Sequence, residues 1–194
     1  MTYRIHDYPA ELIDVVYLTG GDRVVIRPVL PQDRELMVTF FHELSAEDRC
    51  SRFLHPVSEL SPALLKQFTQ IDYASHIALV AETFDGGDET VIGEARYVRA
   101  AELSSVEIAV SVAGSWRGKG IARLMLAKLE CHAATADVCR IIGYTLDSNE
   151  RTLSLARKVG FVMSQGVRGV IRLEKALTPR DNSRCCATFA SQAE

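Results

Sequence analysis

The sequence predicts an α/β fold: a mixed, mostly antiparallel central sheet flanked by helices, with one β-α-β crossover. Three observations lead there. Runs of β-branched and apolar residues recur along the chain, bounded by Gly, Asp and Pro. Helical apolar stripes separate some of these runs but not others. Three strand-like runs, 76–84, 90–98 and 104–112, follow one another with no helix between them. A doubly wound fold would alternate strand and helix throughout.

Each element has its own signal. "DVVYLT" and "RVVIRPVL" flank Gly-Gly-Asp and read as a hairpin over 14–30. Pro31 and Asp33 open a helix in "RELMVTFFHEL", apolar at Leu36, Met37, Phe40, Phe41 and Leu44. A polar break, "SAEDR", leads to a short second helix in "CSRFLH", ended by Pro56. Ser61 and Pro62 supply an N-cap and a first-turn proline for a third helix, "SPALLKQFTQI". The three strands come next, the first two joined by the loop "DGGDE". "IARLMLAKLECHAATA" carries a helical stripe at Ile121, Leu124, Met125 and Leu129. "CRIIGYTL" predicts a strand buried on both faces. "NERTLSLARKVG" is an amphipathic helix with Leu153, Ala156 and Val159 inward and Gly160 as its C-cap. "FVMSQ" and "GVIRLEKAL" close the fold as strands. One domain is expected over 1–177, followed by a mobile tail over 178–194.

Composition narrows the function. The chain has 194 residues, 47% of them apolar, and a net charge of −3, which argues against a general binder of nucleic acid or anionic membrane. No run approaches the length of a transmembrane helix, and the first residues lack a secretory h-region, so a cytoplasmic protein is expected. The five cysteines, at 50, 131, 139, 185 and 186, have no framework spacing, so reduced thiols are expected. No Cys/His cluster has zinc-ligand spacing, so no metal is expected.

The informative stretch is "SVAGSWRGKGIARLML", which places Gly118, Gly120, Arg117, Lys119 and Arg123 between a strand and a helix. A strand that turns through glycines into a helix N-terminus makes an anion site, because the first N–H groups lack intrahelical partners and the helix dipole adds positive charge. The spacing is not that of a nucleoside-triphosphate loop or of a dinucleotide fold. The glycines alone leave a plain helix start equally open.

Arg117-Gly118-Lys119-Gly120-Ile121-Ala122 fits R/Q-x-x-G-x-G/A, and Asn149 followed by "ARKVGF" fits an N-x(n)-G-F ending. In these features the chain resembles the GNAT superfamily of acyl-CoA-dependent N-acetyltransferases. Three further stretches, "YPAELIDVVYLTGGDRVVIRPVLPQD", "FFHELSAEDRCSRFLHP" and "LLKQFTQIDYASHIALVAE", are similar to the acetyltransferase domain of bacterial protein-lysine acetyltransferases. The match covers roughly residues 8 to 175.

The resemblance implies a strand pair that splays apart and a site for acetyl-CoA. Backbone N–H groups of Arg117, Gly118, Lys119, Gly120, Ile121 and Ala122 would hold the pyrophosphate. Val110 and Val112 would offer backbone groups to the pantetheine arm. Asn149 would bind the cofactor near the splay, while a helix N-cap is its equally natural local role. Glu107 would be the general base, against the plain alternative of an exposed strand glutamate. Such a base is needed because an amine of pKa near ~10.4 is almost wholly protonated at neutral pH.

Many family members carry a tyrosine four residues before the helix-ending glycine. Ala156 stands there in this chain, which leaves the general acid unassigned, and Tyr144 is not an obvious substitute. His42, His55, His76 and His132 match no catalytic spacing. Arg49 and Arg52 either line an acceptor groove or form a solvated helix face. The acceptor implied is a primary amine, foremost a protein lysine. The alternatives are a small-molecule amine, or a non-catalytic module that senses acyl-CoA. Neither a nucleic-acid nor a membrane partner is expected, and monomer and dimer both stay open.

Overall fold

The computed structural model describes residues 7–85, 87–100 and 104–178. The expectation of a mobile tail, and the pair Cys185 and Cys186, fall almost wholly outside these.

Among the described residues eight strands form one sheet: β1 (Asp14–Tyr17), β2 (Arg23–Pro28), β3 (His76–Asp85), β4 (Asp88–Arg99), β5 (Ser105–Val112), β6 (Arg140–Leu146), β7 (Val162–Gln165) and β8 (Val170–Ala176). Their spatial order is β1-β2-β3-β4-β5-β6-β8-β7. Neighbours run antiparallel except β5 and β6, which are parallel. A parallel pair needs a crossover, and helix α4 (Ile121–Thr135) supplies it. The sheet is therefore mixed and mostly antiparallel, with one β-α-β unit, as the sequence predicts.

The helices divide between the two faces of the sheet. Helix α4 and helix α5 (Glu150–Lys158) cover one face, over a core that includes Ile77, Leu79, Tyr97, Val106, Ile108, Met125, Leu129, Ile141 and Leu153. Helices α1 (Arg34–Glu43), α2 (Ala46–Phe53) and α3 (Pro62–Thr69) lie on the other face. There Met37, Phe40 and Leu44 meet Leu65 and Phe68 over Ala78, Val80 and Val91. Alternation along β3 explains the division, since Ile77 and Leu79 point to one core and Ala78 and Val80 to the other.

The helix ends carry the chemistry read from the sequence. The Ser61 side chain accepts a hydrogen bond from Leu64 N at 3.2 Å, with Pro62 in the first turn. Helix α5 closes in a Schellman motif: Phe161 N donates to Ala156 O at 2.9 Å and Gly160 N to Arg157 O at 3.2 Å. Gly160 sits at φ +85°, where a side chain would be strained.

Two expectations are corrected. The polar break at 45–49 is the start of α2. Ser45 Oγ accepts from Asp48 N at 3.1 Å while Ser45 N donates to the Asp48 carboxylate at 3.3 Å, a capping box. Strand β6 is not buried on both faces. It alternates, with Ile141, Gly143 and Thr145 buried and Tyr144 exposed, because α2 reaches only part of its outer face. Cys50 and Cys139 are free thiols.

Candidate functional site

The β5–β6 ladder is short. It pairs Ser105 with Arg140, Val106 with Ile141 and Glu107 with Ile142, and goes no further. β5 runs on to Val112 along β4, and β6 to Leu146 along β8, so the two strands part above Glu107.

The backbone groups exposed by that parting follow from the β4–β5 register. Ala100 N donates to Ser105 O and Ala113 N to Ile92 O, both at 2.9 Å. In an antiparallel ladder hydrogen-bonded pairs alternate with non-bonded ones, so the pairs Gly93–Val112 and Ala95–Val110 are non-bonded. The N–H and C=O groups of Val110 and Val112 therefore point away from β4, into the gap. Arg117 Nε donates to Val112 O at 3.3 Å, in keeping with that direction. The gap opens into a cavity of about 800 Å³.

At the upper end of the gap the chain turns through Gly114–Trp116 into the glycine loop. Gly118 (φ +76°) and Gly120 (φ +86°) both adopt the left-handed conformation that favours glycine. No heavy atom lies within 4 Å of a Cβ built on either, so the space beside them is open to a ligand. Gly120 is the N-cap of α4, whose first turn contains no acid. The first α4 bond closing on that cap is Leu124 N to Gly120 O at 3.0 Å, which leaves the preceding N–H groups facing the gap.

Of the six loop residues singled out by sequence, Arg117, Gly118, Gly120, Ile121 and Ala122 line the cavity. Lys119 does not. Its Nζ bonds Asp22 Oδ2 at 2.7 Å and lies 4.3 Å from the centre of the Trp116 ring. Val110, Val112 and Asn149 line the cavity. Asn149 also caps α5, accepting from Thr152 N at 3.1 Å, so the local role is filled while the side chain still faces the cavity.

Glu107 stands apart. It is exposed, on the outer face of β5 with Ala109 and Ser111 and beside Val98 and Ile142. Ala109 and Ser111 line the cavity and Glu107 does not; it stands where the strands divide.

Tyr144, 41% exposed on β6, and the buried Ala156, both weighed in the sequence as general-acid positions, line the cavity. Arg123 of the glycine loop lines it too, and so do two cations the sequence reading missed, Arg151 and Lys158; none of the three has an ion pair among the described residues. The 151, 155, 158 spacing puts two of these cations on one face of α5, a signal present in the sequence.

Across the gap, α2 contributes Asp48, Ser51 and Arg52. Asp48 pairs with Arg117 of the loop. Burial alone would raise the Asp48 carboxyl; its bonds to Arg117 and Ser45 hold it below its ordinary value. Arg52 reaches under the helix to the fully buried Glu94, Nη2 to Oε2 at 3.3 Å, and Glu94 also pairs with Arg96. Against the burial penalty, Arg96 and Arg52 keep the Glu94 carboxyl below the usual range. Arg96 Nη1 lies 3.1 Å from His76 Nε2. Burial first, and then the Arg96 charge, push that imidazole down to about 4. Arg49 donates to Leu44 O at 3.0 Å and stacks on Phe41. Arg49 and Arg52 are therefore not a solvated helix face. Arg52 lines the cavity, and Arg49 braces the helix.

The arrangement offers amide hydrogens to a diphosphate, an unpaired strand edge to an amide-bearing arm, and a carboxylate where the two strands meet. Known proteins similar to this chain are acetyltransferases. The sequence profile of the acetyltransferase (GNAT) domain matches residues 23–162. An acetyltransferase of Pseudomonas aeruginosa is 35% identical over 151 residues, 75% of this chain and 78% of its own length. Acetyltransferase Pat of Mycolicibacterium smegmatis is 29% identical over 167 residues. That match takes in 86% of this chain and 49% of the relative, so the chain spans about half the length of the mycobacterial protein. Among solved structures, the GNAT domain of S. lividans PAT superposes with a TM-score of 0.80 at 27% identity, over 88% of this chain and all of that one.

Proposed function

This chain belongs to the GNAT acetyltransferase family and is an acetyl-CoA-dependent acetyltransferase; from that premise we propose that it acetylates protein lysine side chains, with Glu107 as the general base. The same proposal takes residues 1–177 as one acetyltransferase unit working in the cytoplasm.

The observation that carries this reading is the position of Glu107. It ends the β5–β6 ladder at an exposed position on the α2 side of the sheet, beside Val98, 41% exposed, and half-buried Ile142. A long side chain on a large acceptor reaches such a carboxylate without first entering a closed cleft. The N–H groups of the loop at 117–122 hold the diphosphate of acetyl-CoA, and Arg123, Arg151 and Lys158 add positive charge around it. Val110 and Val112 bond the amides of the pantetheine arm as a missing strand would.

Glu107 accepts a proton from the lysine ammonium, directly or through a water, and frees the lone pair. The nitrogen bonds the acetyl carbon as the carbon–sulfur bond breaks. The Val110 N–H steadies the carbonyl oxygen as it gains charge. Sulfur leaves with the electron pair, and the second proton lost from nitrogen passes to the thiolate or to water; the modest pKa of a thiol makes it a competent leaving group.

The test is Glu107→Gln. Turnover falls by about 10²–10⁴-fold while the Kd for acetyl-CoA is unchanged. Coenzyme A release is followed over panels of lysine peptides and small amines, with mass spectrometry to locate the acetylated nitrogen. A variant that keeps its rate removes Glu107 from the chemistry. Turnover of small amines with every peptide inert removes the lysine acceptor.

A further inference from the structure

A second, much smaller cavity lies behind the gap, under α2. Met37, Phe40, Phe41, Phe53, Leu60 and Phe68 line it, so its wall is almost entirely apolar. Its volume is about 10 Å³, at the lower limit for a single water. Its polar lining is Arg52, Glu94 and Ser111, and the first two pair with each other. Three residues, Leu44, Arg52 and Ser111, line both this cavity and the large one. They are the wall between the two.

The wall stands at the reacting end of the proposed path. Ser111 lies between Val110 and Val112, whose amides face the gap, and its side chain shares the outer face of β5 with Glu107. On the inner face, buried Ile108, Ile121 and Leu126 close the strand off with core packing. An acyl group carried at the level of Val110 therefore extends toward Ser111 and Leu44. Leu44, 4% exposed at the C-terminus of α1, is the apolar part of that wall.

We infer that Leu44 sets the length of the acyl group this enzyme accepts, by closing the mouth of the aromatic pocket beneath α2. An acetyl group stops short of the wall, and a propionyl group, one methylene longer, just reaches it. A butyryl group adds two and meets the Leu44 side chain. Shortening Leu44 joins the void to the gap and gives the longer chain an apolar lining of phenylalanine and methionine. The inference rests on the path proposed above for acetyl-CoA.

The experiment is calorimetry of acetyl-, propionyl- and butyryl-CoA with the full chain, and with Leu44→Ala and Leu44→Val. These measurements need no acceptor. The parent binds acetyl- and propionyl-CoA alike and butyryl-CoA about tenfold more weakly. Leu44→Ala raises the butyryl-to-acetyl affinity ratio about tenfold, the worth of two buried methylenes. Leu44→Val, which keeps most of the packing and serves if the alanine variant does not fold, raises it about threefold, a little under the worth of one. Using the ratio removes any general loss of binding. An unchanged ratio in the folded variants, or a parent that binds butyryl-CoA as tightly as acetyl-CoA, overturns the role of Leu44 and leaves the acetyl-CoA site standing. A parent that binds none of the three overturns the site itself.

Discussion

Helix α4 buries Ile121, Met125, Leu126, Leu129, Ala133 and Ala134 along one stripe, whereas α2, on the other face of the sheet beside the same gap, buries no residue fully. One helix is held by apolar area, the other by bonds at defined points. For α2 these are the capping box at Ser45, the Asp48–Arg117 pair, the Arg52–Glu94 pair, and Phe53 against Phe41 and Phe68. The difference suits what each borders. The α4 N-terminus must present its N–H groups in a fixed array, and a buried stripe supplies rigidity. Helix α2 covers the side of the gap beside the outer face of β5, the side from which the proposed acceptor would approach Glu107. Helices held by few buried contacts open at lower free energy.

That contrast can be broken by removing one anchor from each helix. Leu129 is fully buried, and Leu129→Ala should cost about 2–5 kcal/mol of global stability, read as a shift in the urea midpoint. Arg52→Met keeps the apolar stem and removes the bond to Glu94, which retains Arg96. It should cost less, about 1–3 kcal/mol. Its distinguishing mark is local: hydrogen exchange quickens over 46–53 and not over 121–135. If Arg52→Met instead lowers the midpoint as far as Leu129→Ala, with exchange rising evenly, α2 belongs to the same cooperative core as α4 and the contrast is void.

The same physics decides what could be read from the sequence. Apolar periodicity reports burial, so α4 is legible in "IARLMLAKLECHAATA". Helix α2 has almost no apolar periodicity to report, and "SAEDR" reads as a break. Its one local signal was Ser45 with Asp48 three residues on, a capping box with aspartate in the place usually taken by glutamate or glutamine. The glycine loop was legible because it is chemistry local in sequence. The wall of Leu44, Arg52 and Ser111 was not, since it joins α1, α2 and β5. Strand β6 misled for a related reason. "CRIIGYTL" is apolar enough for two buried faces, yet what covers the second face depends on where α2 and α3 end, and that is tertiary. Glu94 and Arg96 drew no attention within "TVIGEARYV", although a charged pair two residues apart in a strand shares one face.

The mildest test concerns the outer anchor of α2. The Asp48 side chain is 22% exposed, so its pair with Arg117 is partly screened and its effect on global stability is small. The direction of its titration is still diagnostic. Burial pushes the carboxyl up, but Arg117 and Ser45 bring it net below the ordinary 3.8. A folded-state pKa below the unfolded one means the contribution is fully present above 3.8 and is lost as pH falls through the lowered folded value. Carbon-detected NMR should therefore find the Asp48 midpoint below 3.8, so that more than half of the carboxyl is ionised at that pH. Arg117→Gln should move the midpoint back up toward 3.8, because the neutral amide removes the charge and leaves only the Ser45 bonds. An unmoved midpoint would mean that the capping box alone holds the carboxylate. Helix α2 would then be tied to the glycine loop by no charge at all, and its only charged anchor would be the buried one at Arg52.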